Sequence, residues 1–417
     1  MIHSQQSAIF AGTLGSGTVG ARFRQVRAKS EAICAPLQTE DYVVQPCAEV
    51  SPPKWHLAHT TWFFEAAILK QTIHDYRPFN PEFFRLFNSY YKSAGEHWLQ
   101  GERGQLSRPT VAGIIAYRRA VDDRLLALLD KEEGNPALLT LLELGLNHEQ
   151  QHQELLLMDI KFILGTNPSM PAYTGADWLA PAVAENWTDF AAGVYEVGYE
   201  GNAFAYDNEC PRHKQYLQDF AIRNKTVTCA EFIEFIDAGG YADPRLWLSQ
   251  GWDWVQQSGL TAPLYWFRKN SAWHHYTLHG ARPVAEHEPV VHVSYFEADA
   301  FARWKGCRLP VEAELEQWLA WHPDTTSPQP DVIHPSRSDQ ANNQVWTWTA
   351  SHYSPYPGYR PYSGMLGEYN GKFMCNQFVL RGGCVATPAG HYRPSYRNFY
   401  LPHQRWMFSG IRLAKDC

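Results

Sequence analysis

Apolar positions in residues 22–165 recur at three- and four-residue spacing, the period of helices that bury one face. The run "SPPKWHLAHTTWFFEAAILKQ" opens with Ser51, an expected N-cap, and carries proline in its first turn, where a missing N–H costs nothing. "TVAGIIAYRRAVDDRLLALLDK" has Thr110 in the cap position and "EEGNP" as its stop. "PALLTLLELGLNHEQQHQELLLMDIKFILG" follows and ends at Gly165, before Asn167 and Pro168. With a further stretch near residues 22–40, about four long helices are expected, the count of a bundle.

After "TNPSMPAYTGADWLAP" the pattern changes. Short aromatic or β-branched runs, "GVYEVGY", "QVWTWTAS" and "QFVLRGGC", are broken by Gly, Pro and Asn, and two helical pieces, "TCAEFIEFIDAGGY" and "SYFEADAFARWKG", interrupt them. The chain is therefore expected to be α+β in two domains: a frayed tail over residues 1–21, a helical domain over 22–175 and an irregular mixed domain over 185–417.

Composition narrows the function classes. A net charge of -7 gives no field that would draw in nucleic acid, and no run approaches 18 consecutive apolar residues, so neither nucleic acid nor membrane is an expected partner. The eight cysteines are scattered without a C-x-x-C pair, which reads as reduced thiols in a cytoplasmic protein. The first 30 residues hold four basic and no acidic residues, but their apolar part is too short for a targeting segment. The 16 Trp and 22 Tyr point to a loop-rich core or to a pocket for a flat or cationic ligand.

The histidines carry the candidate chemistry. His148 and His152 stand four apart on an expected helix, close enough on one face for both imidazoles to reach one ion, and another expected helix adds His56 and His59. Bundles assemble metal sites from such inward-facing side chains. Neutral imidazoles without thiolate suit zinc, copper or iron(II). The embedded H-E-x-x-H would make Glu149 the base of a zinc hydrolase, yet "QELLLMDIKFIL" supplies no third ligand of that pattern downstream.

Longer stretches are more specific than these spacings. "KWHLAHTTWFFE", "LFNSYY", "NHEQQHQELL", "DNECPRHKQYLQDF", "GEYNGKFMCNQFVLRGG" and "SYRNFYLPHQRWMFSGIRLA" together resemble the ergothioneine-biosynthetic sulfoxide synthases, the EgtB family, over nearly the whole chain after residue 22. The resemblance implies a DinB-like four-helix bundle joined to a formylglycine-generating-enzyme-like, C-type-lectin-like domain. It implies a non-haem Fe(II) enzyme that uses O2 to join imidazole C2 of N-α-trimethylhistidine (hercynine) to the sulfur of a cysteine donor, leaving a sulfoxide.

Carried over motif by motif, the resemblance makes His59, His148 and His152 the iron ligands, with His56 in a supporting role and Glu149 and Glu154 as positioning or surface residues. Tyr90 and Tyr91 of "FNSYY" become the expected source of a proton or electron, and Gln151, Asn398, Phe399 and Tyr400 the expected hercynine contacts. Arg103 and Arg108 are the candidates for the donor carboxylate; their spacing differs from the arginine pair of relatives that bind γ-glutamylcysteine, which favours free cysteine. A structural Ca(II) in the second domain is a further expectation. Cys375 and Cys384 read as small core residues, outside the context of a formylglycine-generating pair. The rival readings are an ovothiol-type sulfoxide synthase acting on histidine and a DinB-type metal-dependent thiol transferase.

Overall fold

The computed structural model describes residues 16–132, 134–322, 332–339 and 342–417. The chain divides into two compact units, the first made of Met1–Thr166, Glu200–Ala205 and Pro361–Asn370, the second of the remainder. The first unit is thus discontinuous in sequence. A contiguous division near 175–185 does not capture this, because two late segments return to the helical unit after long excursions.

Four long helices build the first unit: α1 (Ser16–Cys34), α2 (Pro53–Phe64), α3 (Val111–Lys131) and α4 (Pro136–Thr166). α1 begins inside the expected tail, because its buried stripe of Val19, Phe23, Val26 and Ile33 already starts at Val19; residues 1–15 of that tail lie outside the described residues. Thr110 caps α3 as expected, accepting from Gly113 N. Ser51 does not cap α2: Pro52 holds the cap position, and the Ser51 hydroxyl accepts a hydrogen bond from Arg103 instead.

Every residue of α2 is buried, so this helix is the centre of the unit. It packs on α3 and α4, while α1 lies against α4. Gly145 sets the closeness of α2 to α4, since a Cβ there would stand 2.5 Å from Cε1 of Phe64. His148 follows Gly145 by about one turn, so this approach carries the histidines of α4 up to those of α2.

The second unit holds helices α5 (Cys229–Asp237), α6 (Ser249–Ser258), α7 (Tyr295–Trp304) and α8 (Glu312–Trp321). Its strands are β1 (Trp187–Phe190), β2 (Gly193–Val197), β3 (His213–Leu217), β4 (Phe220–Arg223), β5 (Trp266–Lys269), β6 (Ala272–Thr277), β7 (Gly280–Pro283), β8 (Trp346–His352), β9 (Phe378–Arg381), β10 (Asn398–Tyr400), β11 (Ser409–Gly410) and β12 (Ala414–Asp416). They form small sheets ordered β1-β4-β12, β10-β9-β8-β11, β2-β3 and β5-β6-β7. The expected strands at "GVYEVGY", "QVWTWTAS" and "QFVLRGGC" are β2, β8 and β9, and the expected helical pieces are α5 and α7. The α8 helix packs Leu315, Trp318 and Leu319 into one core with Phe190, Phe220 and Ile222. Cys384 is buried as expected, whereas Cys375 is exposed and not a core residue. Among the described residues no helix is long and apolar enough to cross a membrane.

Candidate metal centre

His59 of α2 and His148 and His152 of α4 form a cluster whose ligand nitrogens all lie within 4.8 Å of one another. Ring centroids are 5.1 Å apart for His59 and His148, 4.8 Å for His59 and His152, and 4.6 Å for His148 and His152. Aromatic neighbours fix the rings: His59 stacks on Trp55 at 4.6 Å, and His148 on Phe63 at 4.2 Å. His59 and His148 are buried, and His152 is partly exposed. Burial, and then the mutual proximity of the rings, holds the pKa of all three well below the ordinary histidine value. They are therefore neutral bases at neutral pH, the form that binds metal.

Hydrogen bonds orient two of the candidate ligands. His59 Nδ1 lies 2.6 Å from the Phe87 carbonyl and must donate to it, which leaves Nε2 with the lone pair. His152 Nδ1 lies 2.9 Å from His56 Nδ1, and His56 Nε2 lies 2.9 Å from Asp159 Oδ2. With Asp159 ionised, His56 donates to it and accepts from His152, so the lone pair of His152 is again on Nε2. Backbone N–H of Ser51 donates to the same Asp159 oxygen. His148 Nδ1 is buried without a hydrogen-bond partner, so that ring keeps unused bonding capacity within the cluster. Three neutral imidazoles, two of them pre-oriented, fit a divalent iron, copper or zinc ion.

Glu149 points elsewhere. It is fully buried and accepts from Arg27, Arg118 and Ser30 at 2.8, 3.0 and 2.6 Å. Burial alone would raise its pKa, but the two guanidinium groups override that and hold it at about 2. Arg118 also donates to Thr60, Thr61 and the Leu57 carbonyl of α2. The carboxylate therefore ties α4 to α1, and through Arg118 to α2 and α3. It is neither a hydrolytic base nor a surface residue, and Glu154 is likewise buried. The sequence reading missed Arg27 and Arg118, although Arg118 sits in the apolar stripe of Ile114, Val121 and Leu125, where a charge needs a buried partner.

The "FNSYY" loop serves the same cluster. Asn88, fully buried, closes it by donating to the Tyr91 and Gly95 carbonyls and accepting from Tyr91 N. Phe87 orients His59, and Ser89 accepts from Arg103 at 2.9 Å. Arg103 is buried with its guanidinium 3.3 Å from the Trp55 ring centre, and burial lowers its pKa to about 9. Arg108, in contrast, is exposed and donates to the Ser107 carbonyl.

Tyr90 and Tyr91 stack on each other at 4.6 Å, and the Tyr90 hydroxyl reaches the Tyr369 carbonyl at 3.4 Å. Tyr91 is fully buried; burial, then the neighbouring Tyr90 and Tyr369, raises its pKa well above the ordinary phenol value. Tyr369, from the Pro361–Asn370 segment, was not singled out by sequence reading despite its place in "GEYNGKF". Its ring lies 5.8 Å from that of His148, and its hydroxyl donates to Gln151 Oε1 at 2.5 Å. Glu368 pins this segment by accepting from Ser93 N and Oγ at 2.8 and 2.6 Å.

In the second unit, Asn398, Phe399 and Tyr400 form β10. Phe399 stacks on Tyr353 at 4.0 Å, Tyr400 packs edge-on to Trp406 at 5.6 Å, and Asn398 Oδ1 accepts from Phe399 N.

Comparison with known proteins gives a consistent picture. Residues 22–156 match the DinB superfamily, and residues 186–320 match the sulfatase-modifying factor enzyme 1-like domain. A hercynine oxygenase of Mycolicibacterium smegmatis is 32% identical over 88% of this chain and 91% of its own length. A hercynine oxygenase of Mycobacterium tuberculosis is 33% identical over 72% of this chain and 76% of its own. A formylglycine-generating enzyme of Streptomyces coelicolor is 28% identical over 52% of this chain and 84% of its own.

Proposed function

Since the chain belongs to the hercynine oxygenase family, we propose that it is an Fe(II)- and O2-dependent sulfoxide synthase that couples hercynine to a cysteine donor in ergothioneine biosynthesis. The reaction balances as hercynine C2–H plus thiol S–H plus O2 giving the C–S(O) product and water. The observation that carries the reading is the cluster of His59, His148 and His152, three neutral imidazoles with their ligand nitrogens within 4.8 Å. Iron(II) held by these residues would activate O2, the four-electron oxidant of this balance, which by itself reacts only sluggishly with a closed-shell imidazole and thiol.

The chain's own residues supply binding, orientation and protons. Gln151, its amide fixed by the Tyr369 hydroxyl, presents a hydrogen-bonding group beside the histidines for the hercynine imidazole. On the motif resemblance Asn398, Phe399 and Tyr400 are also proposed as hercynine contacts, aromatic faces suiting a trimethylammonium group. Arg103, still cationic at neutral pH, is proposed to attract the donor carboxylate, while exposed Arg108 drops from that role. The Tyr91 phenol, its pKa raised by burial, holds its proton until the reaction calls for one, and Tyr90 stacked on it is the second proposed phenol. The spacing of Arg103 and Arg108, taken with the "FNSYY" motif, favours free cysteine as donor over γ-glutamylcysteine.

The test is anaerobic reconstitution with Fe(II), then air, hercynine and either cysteine or γ-glutamylcysteine, with the coupled sulfoxide read by mass spectrometry. Product with cysteine and little with the dipeptide is the expected result. Stoichiometric iron with no product from either donor would overturn the coupling and turn attention to histidine as acceptor or to thiol transfer.

A further inference from the structure

Three buried side chains of the second unit converge far along the sequence from the cluster above. His275 comes from β6, Glu288 from the turn before Pro289, and His334 from the segment 332–339. They are 3%, 3% and 1% exposed, and their ligand atoms all lie within 4.8 Å of one another. Glu288 Oε2 stands 3.0 Å from His334 Nε2 and 3.8 Å from His275 Nε2. The other carboxylate oxygen accepts from Trp178 Nε1 at 2.6 Å, and the Glu288 carbonyl accepts from Cys229 N at 2.8 Å.

A carboxylate this deeply buried must be neutralised. Among the described residues Glu288 makes no ion pair with Arg or Lys; the groups paired with it that can carry positive charge are the two imidazoles. A hydrogen bond accounts for the contact at 3.0 Å, but 3.8 Å is beyond hydrogen-bond length, although both rings aim a nitrogen at the same oxygen. Ligands each about 2.0–2.2 Å from a shared ion stand roughly 3.0–3.5 Å apart. One separation lies at the lower edge of that range and the other a few tenths of an ångström above it.

We propose that His275, Glu288 and His334 hold a divalent transition-metal ion, zinc foremost. Two imidazole nitrogens and a carboxylate oxygen match the ligand preferences of zinc and of iron(II). Calcium takes six to eight oxygens, so the calcium expected for this domain finds no matching donor set here. The bond from Trp178 to the second carboxylate oxygen is the kind of outer contact that fixes a metal-binding carboxylate. Deep burial assigns the ion a structural role: it joins the three-stranded β5-β6-β7 sheet, the turn before Pro289 and the segment 332–339, separate pieces of chain whose closure a metal stabilises.

The proposal stands apart from the iron reading and is tested without activity. The full chain carrying His148→Ala and His152→Ala retains only His59 of the first cluster. Loaded with Zn(II) and dialysed against metal-free buffer, it is expected to keep a single equivalent per chain by elemental analysis, and with Co(II) to show visible d–d bands. Adding Glu288→Gln, which preserves shape and removes charge, is expected to abolish both and to remove the rise in melting temperature on adding zinc. Less than roughly a tenth of an equivalent in the folded double variant would overturn the proposal. So would metal retained undiminished after Glu288→Gln, since the ion would then sit elsewhere.

Discussion

The Nδ1 atoms of His56 and His152 lie 2.9 Å apart, so one ring must donate and the other accept. Asp159, 2.9 Å from His56 Nε2, decides which: it accepts a hydrogen bond from His56 Nε2–H and leaves His56 Nδ1 as acceptor. His152 is thereby held in the tautomer that presents Nε2. Outer contacts of this kind typically govern about 10- to 100-fold of metal affinity. His56→Ala and Asp159→Asn are accordingly expected to retain iron at saturation but to weaken its Kd by about that factor, whereas His148→Ala is expected to abolish binding. Competitive chelator titrations separate the cases; a His56→Ala protein with wild-type affinity would show that the relay does nothing.

Glu149 lies one residue from His148, a proposed ligand, yet faces the opposite way, into Arg27 and Arg118. Replacing it by Gln leaves two guanidinium groups buried and undercompensated, a loss of about 3–5 kcal/mol by analogy with broken buried pairs. The loss is expected in chemical denaturation. A Glu149→Gln protein of normal stability that binds iron but has lost turnover would restore a catalytic base at this position.

Much of this site was legible in the sequence, for a physical reason. Helical period alone put His148 and His152 on one face, and the motif resemblance chose His59 over His56, which the geometry explains: His56 is spent on Asp159 and His152. The ends of elements were less legible. Ser51 reads as a cap, but buried Arg103 claims its hydroxyl, and such a tertiary demand is invisible in a local pattern. Tyr369 was hidden differently: it lies more than 200 residues from Gln151 in sequence, in a segment that returns to the helical unit. Its environment depends on chain topology rather than on neighbours in sequence.

Tyr369 donates to Gln151, and a hydrogen bond between uncharged groups is worth about 0.5–1.5 kcal/mol, or roughly 2- to 10-fold. If Gln151 orients hercynine, Tyr369→Phe should raise the KM for hercynine by about that factor, with iron content unchanged. Tyr90→Phe and Tyr91→Phe should instead lower kcat, because they remove a phenol rather than reorient an amide. A Tyr369→Phe enzyme with intact KM and collapsed kcat would reassign the proton source to Tyr369.

Gly145 leaves no room for a side chain, because a Cβ there falls 2.5 Å from Cε1 of Phe64. Gly145→Ala gains helix propensity of up to about 1 kcal/mol but must displace a packed ring, and overpacking typically costs about 1–3 kcal/mol. The net expectation is destabilisation. Since α2 and α4 must part to relieve the clash, iron affinity should also fall, whereas a general loss of stability would leave the Kd of the folded protein unchanged. Denaturation together with metal titration of the folded variant distinguishes these outcomes.

The second unit carries its own pH dependence at Glu312. Its carboxylate takes two bonds from Arg397 at 2.9 Å and one from Arg381 at 2.9 Å. Burial works to raise its pKa, yet Arg397 and Arg381 prevail and hold it below the ordinary glutamate value. A carboxyl depressed on folding contributes stability that is fully present above its unfolded pKa, about 4.3, and is lost as pH falls through the lower folded value. Glu316 nearby is shifted the other way, by burial, so its contribution to acid unfolding has the opposite sign. The acid limb of the wild-type stability curve is therefore composite, and only a difference isolates Glu312. Glu312→Gln should cost most at neutral pH, with the gap to wild type closing as pH drops below about 4.3. Denaturant unfolding at a series of pH values measures that gap, and one that stays constant into acid would mean the carboxylate is not held below its ordinary value.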